Sequence, residues 1–297
     1  MENKDVTMVN EEPVVQENDH DLPETQVRIL NLMEEVLPIL EEMKLMVIIQ
    51  GGTMLGAIRH KGFIPWDDDV DLALPRDQYE YFLQHIEEHL PDHLALRTFD
   101  DASDHHYYFA RIVDKRFRIQ KTGGRETYDN LWLDFFPLDG MPNGLISRQI
   151  HKLRLTICRF LYNLSCIEYV KTDRRARPLI EKIVMGLARH HYRGRKRAYV
   201  KRLQKMDRLL KKYPLESSDW IINFSGQLTY RFTEMIPKTV YGNLRKYPFE
   251  HLQLVGPENY DSYLTSLYGD YMTPPREGDR NAHVIKGLEY VEENEEE

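Results

Sequence analysis

The spacing of apolar side chains divides the chain into a mixed succession of helices and strands. Apolar residues recur every three to four positions from Val27 to Leu37, which predicts a helix starting near Thr25. A short apolar run at residues 45–50 predicts a buried strand that stops at Gly51. A brief helical turn should follow at residues 53–59, and we interpret residues 66–74 as a strand ended by Pro75.

Later segments keep this mixture of periodicities. Strands are predicted at residues 107–113, 117–121 and 131–136, and residues 147–212 have a helical pattern. We therefore expect an α+β fold (mixed α/β) with a central mixed sheet and a largely helical insertion. Residues 1–21 are polar and acidic and should be disordered, residues 22–291 should form a single domain, and residues 292–297 form an acidic tail.

Composition fits an ordinary globular protein, but charge is unevenly distributed. Of the 297 residues, 41% are hydrophobic and 30% are charged, so a sizeable core can form. The net charge is −8, yet lysine and arginine far outnumber acidic residues at 147–212. This segment suits an anionic glycan or the inner leaflet of a membrane. Nucleic acid is not expected, since no recognised binding motif is present and the overall charge is negative.

The cysteines and the beginning of the chain bear on cellular location. Cys158 and Cys166 are the two cysteines, which fit neither a zinc site nor a disulfide framework. The first residues lack the basic start and apolar stretch of a secretory signal, and no apolar run approaches ~20 residues. These features predict a cytoplasmic protein, peripheral at the inner face of the membrane if its basic helices contact lipid.

Acidic and apolar residues alternate in the segment DDDVDLAL, which starts at Asp67. In a strand, Asp69 and Asp71 would point to the same face about 7 Å apart, while Val70 and Leu72 would face the core. Like charges on one face repel, and a hard divalent cation relieves that repulsion. The pattern therefore predicts a Mg²⁺ or Mn²⁺ site at Asp69 and Asp71, with Asp67 as a further ligand.

A calcium-binding loop is an alternative interpretation of the same aspartates. Asp67, Asp69 and Asp71 match the first, third and fifth positions of an EF-hand loop. Leu72 then stands where that loop needs glycine, and Gln78 stands where it needs glutamate. A solvated acidic loop is also disfavoured, because apolar residues separate the aspartates.

The glycines before this segment are candidates for phosphate binding. Gly51, Gly52 and Thr53 follow an apolar strand and open a helical turn, where free N–H groups and missing Cβ atoms let a phosphate approach. The residues Arg59, His60 and Lys61 add cationic groups just beyond the turn. Cations and amides facing a metal would suit a pyrophosphate.

A further carboxylate, Asp134, lies in the apolar segment LWLDFF. A charge in an apolar strand is costly unless it binds metal or pairs with a partner, so a metal ligand and an arginine salt bridge are both open. Asp139, in a Leu-Asp-Gly sequence, is interpreted as a turn residue. The tyrosine-rich segment at 260–275 fits packing and substrate lining equally well.

Three blocks of this sequence resemble the LicD family, the bacterial relatives of fukutin and the fukutin-related protein. The blocks are GGTMLGAIRHKGFIPWDDDVDLALPRDQYE, LWLDFFPLDGMP and the region from YPFE to LYGDYM. The resemblance implies a nucleotidyltransferase fold. It matches Gly51 and Gly52 to the family's glycine turn, Asp69 and Asp71 to its metal pair, and Asp134 to its third carboxylate. No zinc site is expected, because the cysteines are too few.

The resemblance also implies a function: metal-dependent transfer of a phospho-alcohol from a CDP-linked donor. In bacteria the family is linked to adding phosphocholine to teichoic acid, lipopolysaccharide or capsule, so phosphocholine is the group expected here. Asp134 would share a second metal or accept the acceptor's proton. Two alternatives stay open, a nucleotidyltransferase that releases pyrophosphate and a non-catalytic nucleotide- or glycan-binding module.

Overall fold

The computed structural model describes residues 22–101, 105–121, 127–167, 179–195, 197–225, 232–276 and 285–291. The predicted disordered beginning and acidic tail lie outside these residues. The helices within them are α1 (Glu24–Glu42), α2 (Gly51–Arg59), α3 (Arg76–His85), α4 (Leu145–Ser165), α5 (Leu179–Tyr192), α6 (Ala198–Leu210), α7 (Lys238–Tyr241) and α8 (Tyr260–Tyr268). The strands are β1 (Ile48–Ile49), β2 (Asp71–Pro75), β3 (Leu94–Arg97), β4 (Ala110–Lys121), β5 (Thr127–Gly140), β6 (Trp220–Ile222), β7 (Met235–Pro237), β8 (Arg245–Phe249), β9 (Leu252–Gly256) and β10 (Ile285–Tyr290).

A mixed sheet forms the centre of the fold. Its strands follow the order β1-β2-β5-β4-β10, with β3 also pairing with β4, and with β6 joining β5 to β7. The β2–β5 pair is parallel and the remaining pairs are antiparallel. A separate hairpin is made by β8 and β9. This arrangement confirms the predicted α+β class with a central mixed sheet.

The main core lies where α1 covers the sheet. Met33 and Val36 on α1 are fully buried, as are Val70, Leu72 and Leu74 in and beside β2. The predicted burial of these last three residues is therefore confirmed. Helix α1 begins at Glu24, directly after Pro23, so the expected start at Thr25 is one residue late.

The strand predicted at 66–74 is shorter than expected. Strand β2 begins only at Asp71, because its parallel partner β5 pairs from Asp134 onward and its antiparallel partner β1 is two residues long. Asp69 therefore lies in the irregular segment before the strand. Asp69 and Asp71 therefore do not share one face of a strand as predicted, although their carboxylates are close to each other.

The interpretation of Asp139 as a turn residue is wrong. Asp139 lies within β5 and is 1% exposed. Its carboxylate accepts hydrogen bonds from Arg76 Nε at 2.7 Å and from Arg76 Nη2 at 2.6 Å. Asp207 on α6 also accepts a hydrogen bond from Arg76, at 3.3 Å, so this arginine links the sheet to the helical insertion.

The helical insertion has its own cluster of buried side chains. Leu155 on α4 packs with Leu203 and Met206 on α6, and this cluster includes Met141 and Ile222 from the sheet side. Helix α5 attaches through a smaller cluster around Ala188 and Tyr192. No helix in the described part of the chain combines the length and hydropathy needed to cross a bilayer.

Candidate metal centre

Three carboxylates meet at the start of β2. Asp71 is the first residue of that strand and lies opposite Asp134 of β5, while Asp69 approaches from the preceding segment. One oxygen from each side chain lies within 4.8 Å of the others. The backbone fixes this approach, since Asp134 N donates to Val70 O at 3.1 Å. Parallel pairing therefore brings Asp134, the third carboxylate that the family resemblance implies, beside the predicted pair Asp69 and Asp71.

The electrostatics of the cluster fit a cation. Removal from water, then repulsion from Asp69, Asp134 and Asp67, raises the pKa of Asp71 well above its usual range. Burial likewise raises the pKa of Asp134 to about 6, although Arg111 opposes the shift. Oxygen-only donors at this spacing match the ligands that Mg²⁺ and Mn²⁺ accept. A divalent ion would stabilise the charged form of each carboxylate.

Asp134 is also held by partners within the sheet. Arg111 on β4 donates from Nε to Asp134 Oδ1 at 2.6 Å, and Trp132 Nε1 donates to Oδ2 at 3.2 Å. The Arg111 guanidinium lies 4.4 Å from the centroid of the Trp132 ring. The two interpretations of Asp134, metal ligand and arginine partner, are thus compatible. These contacts fix the orientation of its carboxylate.

The glycine turn lies directly beside the carboxylates. Gly51 has a φ of +47°, and a Cβ added there would lie 2.6 Å from Asp71 Oδ2. Gly52 N donates to the same oxygen at 3.4 Å, and Asp71 N donates to Thr53 Oγ1 at 2.8 Å. The first turn of α2 and the acidic cluster are therefore one structural unit.

The C-terminal tyrosines support this turn. Gly51 N donates to Tyr263 Oη at 3.0 Å, and Tyr263 Oη donates to Gln50 Oε1 at 3.0 Å. Tyr241 Oη donates to the same Gln50 oxygen at 3.2 Å. Of the two uses expected for the segment at 260–275, Tyr263 fits packing, because it is buried in the main core, and its hydroxyl also positions the glycine turn.

The three residues predicted to supply cationic groups lie at the other end of α2. Burial, and then the charge of Arg59, lower the pKa of His60, which favours the neutral ring. Arg59 Nη1 donates to Tyr271 O at 2.7 Å, and its guanidinium is 5.9 Å from the Trp66 ring centroid. The centroids of the His60 and Trp66 rings are 6.2 Å apart, and the two ring planes are nearly perpendicular. Lys61 is exposed with a φ of 63°, and its carbonyl accepts a hydrogen bond from the backbone of the β8–β9 turn. About 12 Å of helix axis separates Gly51 from Arg59.

Asp67 faces the glycine turn without joining the group of three. A Cβ added to Gly52 would lie 2.8 Å from Asp67 Oδ2. The backbone carbonyl of Asp67 accepts a hydrogen bond from the buried Gln26 Nε2 at 2.7 Å. From this position its negative charge repels that of Asp71 and raises the pKa of the Asp71 carboxyl.

Glu234 is a carboxylate near the site that the sequence did not reveal. It is partly buried just before β7, and burial raises its pKa to about 7 against the opposing effect of Arg159. Its charge acts on Asp71. No described residue donates a hydrogen bond to its side chain. The local sequence TEMIP carries no pattern that separates this glutamate from a surface one.

Comparison with known proteins points to one family. Residues 44–153, which include the glycine turn and all three carboxylates of the cluster, match the nucleotidyltransferase domain of LicD, FKTN and FKRP. Over 273 residues the chain is 30% identical to the lipopolysaccharide cholinephosphotransferase LicD of Haemophilus influenzae, covering 89% of this chain and 96% of that protein.

Two rickettsial proteins are similar over a shorter stretch. An uncharacterized protein of Rickettsia typhi is 38% identical over 53 residues, and one of Rickettsia prowazekii is 40% identical over 55 residues. Each stretch covers 18% of this chain, and they cover 17% and 20% of the two proteins. The similarity to the Haemophilus protein, in contrast, spans nearly the whole chain.

Proposed function

Because this chain belongs to the LicD family, we propose that it transfers a phospho-alcohol from a CDP-linked donor to a hydroxyl of a cell-surface glycan precursor. Phosphocholine is the proposed group, since the Haemophilus relative is named a cholinephosphotransferase and covers nearly the whole chain. Teichoic acid, lipopolysaccharide and capsule precursors are the acceptors that fit the family. The observation that carries the proposal is the meeting of Asp69, Asp71 and Asp134 beside the first turn of α2.

In this reaction Asp69 and Asp71 would hold Mg²⁺ or Mn²⁺, with Asp134 as the third ligand. A bound divalent ion would neutralise charge on the donor diphosphate. Gly51, Gly52 and Thr53 open α2 beside these carboxylates, and we assign the donor diphosphate to this end of the helix, where the helix dipole favours negative charge. Thr53 holds the Asp71 backbone, so it positions the ligand pair.

The residues at the far end of α2 would act on a different part of the donor. Arg59, His60 and Lys61 lie one helix length from the glycine turn, so a single diphosphate would not span both groups closely. We assign them to the nucleotide end of the donor, where Trp66 offers a ring face beside Arg59. In this assignment the glycine turn and the cationic residues bind different parts of the donor, at opposite ends of α2, instead of one pyrophosphate.

The acceptor hydroxyl needs a group that takes its proton. Asp134 is poorly suited, because Arg111 and Trp132 already occupy its oxygens. Glu234 has a raised pKa near neutrality and no described hydrogen-bond donor, which suits a general base. The acceptor oxygen would attack the distal phosphorus, the bond from that phosphorus to the bridging oxygen of CMP would break, and the proton would pass to Glu234.

Calorimetric titration with CDP-choline, in Mg²⁺ and then in EDTA, tests the proposal. We expect binding that requires the metal and is lost in Asp71→Asn. The control is Asp77→Asn, which makes the same substitution at an exposed position of α3 and should bind as the wild type does. Product analysis should then show CMP.

Other outcomes would replace the proposal with a named alternative. Binding of a nucleoside triphosphate with release of pyrophosphate would make the protein a nucleotidyltransferase. Absence of any nucleotide binding would favour a non-catalytic binding module. Full transfer activity in Asp71→Asn would remove the metal assignment itself.

A further inference from the structure

Helix α4 is apolar on two opposite faces. One face is buried against the insertion core through residues such as Leu155, Cys158 and Tyr162. The other face carries large apolar side chains that stay exposed by about half or more of their surface. These are Ile146 at 79%, Ile150 at 49%, Leu153 at 60%, Ile157 at 49% and Phe160 at 51%.

The exposed residues form one continuous line. Their spacing along the sequence alternates between four and three positions, from Ile146 to Phe160, which keeps them on a single side of the helix. Single exposed apolar residues are common on protein surfaces, but an unbroken stripe of four helical turns is not. The stripe therefore indicates a binding surface.

Charge around the stripe identifies the chemistry of the partner. Arg154 is exposed on one side of it, and the half-buried Lys152, whose Nζ lies 5.1 Å from the Phe232 ring centroid, borders it on the other. This 21-residue helix contains no aspartate or glutamate. The adjoining helix α5 repeats the pattern, with Ile183 at 55% and Leu187 at 67% exposed and Lys182 beside them. An apolar stripe bordered by cations is the arrangement that lies in the interface of an anionic bilayer.

We propose that the outward face of α4, extended by α5, docks this protein on an anionic lipid surface. The stripe would enter the headgroup boundary while Lys152 and Arg154 contact lipid phosphates. A second copy of the chain is a poorer occupant, because an antiparallel pairing of two α4 stripes would bring their cations together without carboxylates to neutralise them. Docking would bring the enzyme to a lipid-linked acceptor, but it does not depend on the proposed transfer reaction.

Co-sedimentation of the full chain with vesicles tests this surface. The vesicles contain phosphatidylcholine alone, or phosphatidylcholine mixed with phosphatidylglycerol. We expect binding to the anionic vesicles, reduced at least tenfold in the triple variant Ile150→Gln, Leu153→Gln, Ile157→Gln. Lys152→Gln with Arg154→Gln should weaken the preference for anionic lipid. The control double variant Met46→Gln, Tyr81→Gln removes apolar side chains of similar exposure elsewhere and should bind normally.

Two vesicle-binding results would overturn the proposal. Wild-type protein that ignores anionic vesicles, or a triple variant that binds them fully, would exclude a lipid-docking role for the stripe. A wild-type dimer that the triple variant converts to monomer, without vesicle binding, would assign the stripe to self-association. Circular dichroism of each variant checks folding, and the readout uses no nucleotide, so failure here leaves the proposed reaction untouched.

Discussion

Gly51 joins an unusual backbone conformation to the carboxylate cluster. Its positive φ favours glycine, and an added methyl group would contact Asp71 Oδ2 at 2.6 Å. We expect Gly51→Ala to displace the Asp71 carboxylate, weaken metal-dependent CDP-choline binding at least tenfold, and lower the free energy of unfolding by about 1–3 kcal/mol. Calorimetry and urea denaturation measure the two effects.

A matched substitution separates site geometry from general helix effects. Gly186 lies within α5, and an added Cβ would meet no atom within 4 Å. Gly186→Ala should leave nucleotide binding unchanged and stabilise the protein by up to about 1 kcal/mol, because alanine is the better helix former. Equal behaviour of the two variants would show that Gly51 has no special relation to Asp71.

Glu234 should give the transfer reaction a distinct pH dependence. Burial raises the pKa of Glu234 to about 7, so the wild-type rate at saturating metal should rise as the pH passes through about 7. Glu234→Gln should lower kcat by roughly 10²–10⁴-fold and flatten this rise. A variant that keeps the wild-type pH profile would exclude Glu234 as the proton acceptor.

The same residue predicts a pH-dependent change in stability. A carboxylate whose folded pKa is raised contributes stability fully below its unfolded pKa, near 4.3, and loses that contribution as the pH rises through about 7. Glu234→Gln should therefore be the more stable protein at pH 8, by roughly 3 kcal/mol at most. The difference should disappear near pH 4, as measured by urea denaturation.

At the level of secondary structure, the sequence predicts the elements better than their ends. The apolar alternation within β4 and β5 is local, so the strands predicted at 107–113, 117–121 and 131–136 fall within or overlap these two. The start of β2 depends on where a neighbouring strand begins to pair, which no local pattern records. Pairing with β5, rather than the local sequence, therefore determines that β2 begins after Asp69.

The same dependence on tertiary contacts explains which site residues the sequence can predict. Asp71 and Asp134 stand out because charge is unusual beside their apolar neighbours, and Asp69 stands out as part of an acidic run that ends in an apolar strand. Glu234 and Arg111 reach the site through sheet and helix packing across long sequence separations, and their own segments look ordinary. The turn prediction for Asp139 is wrong because its ion-pair partner, Arg76, lies in another element, which the local sequence does not show.

The junction between β2 and α3 rests on Arg76, whose side chain is 12% exposed. Arg76 donates to Asp139 in the sheet, to Glu80 on its own helix and to Asp207 on α6. We expect Arg76→Met to lower the free energy of unfolding by about 3–5 kcal/mol, because Asp139 would be left as an uncompensated buried charge. Urea denaturation at neutral pH measures the loss.

Two further variants test that reason. Adding Asp139→Asn to Arg76→Met should restore part of the stability, since the unpaired charge is gone. Lys211→Met removes a more exposed cation of the same network and should cost less than about 1 kcal/mol. A small effect of Arg76→Met alone would mean that water reaches Asp139.

For the whole molecule, the distribution of charge suggests two separate units, whereas side-chain packing joins them into one. The helical insertion is basic while the rest is acidic, which would suit two independent units. Packing joins them instead, because Met141 and Ile222 from the sheet side enter the cluster formed by α4 and α6. Arg76 adds a polar link between the same parts. We therefore propose one domain over residues 22–291, with the insertion as part of it.

A single domain predicts one cooperative thermal transition. Leu74 lies in the main core and Leu203 lies in the insertion cluster, and both side chains are fully buried. Truncation of either to alanine should cost about 2–5 kcal/mol. If the domain is cooperative, Leu74→Ala and Leu203→Ala will each shift the same calorimetric peak to lower temperature, with equal calorimetric and van't Hoff enthalpies. Two peaks, with each variant moving only one, would show that the insertion unfolds on its own and that the contacts of Met141, Ile222 and Arg76 are too weak to couple it to the sheet.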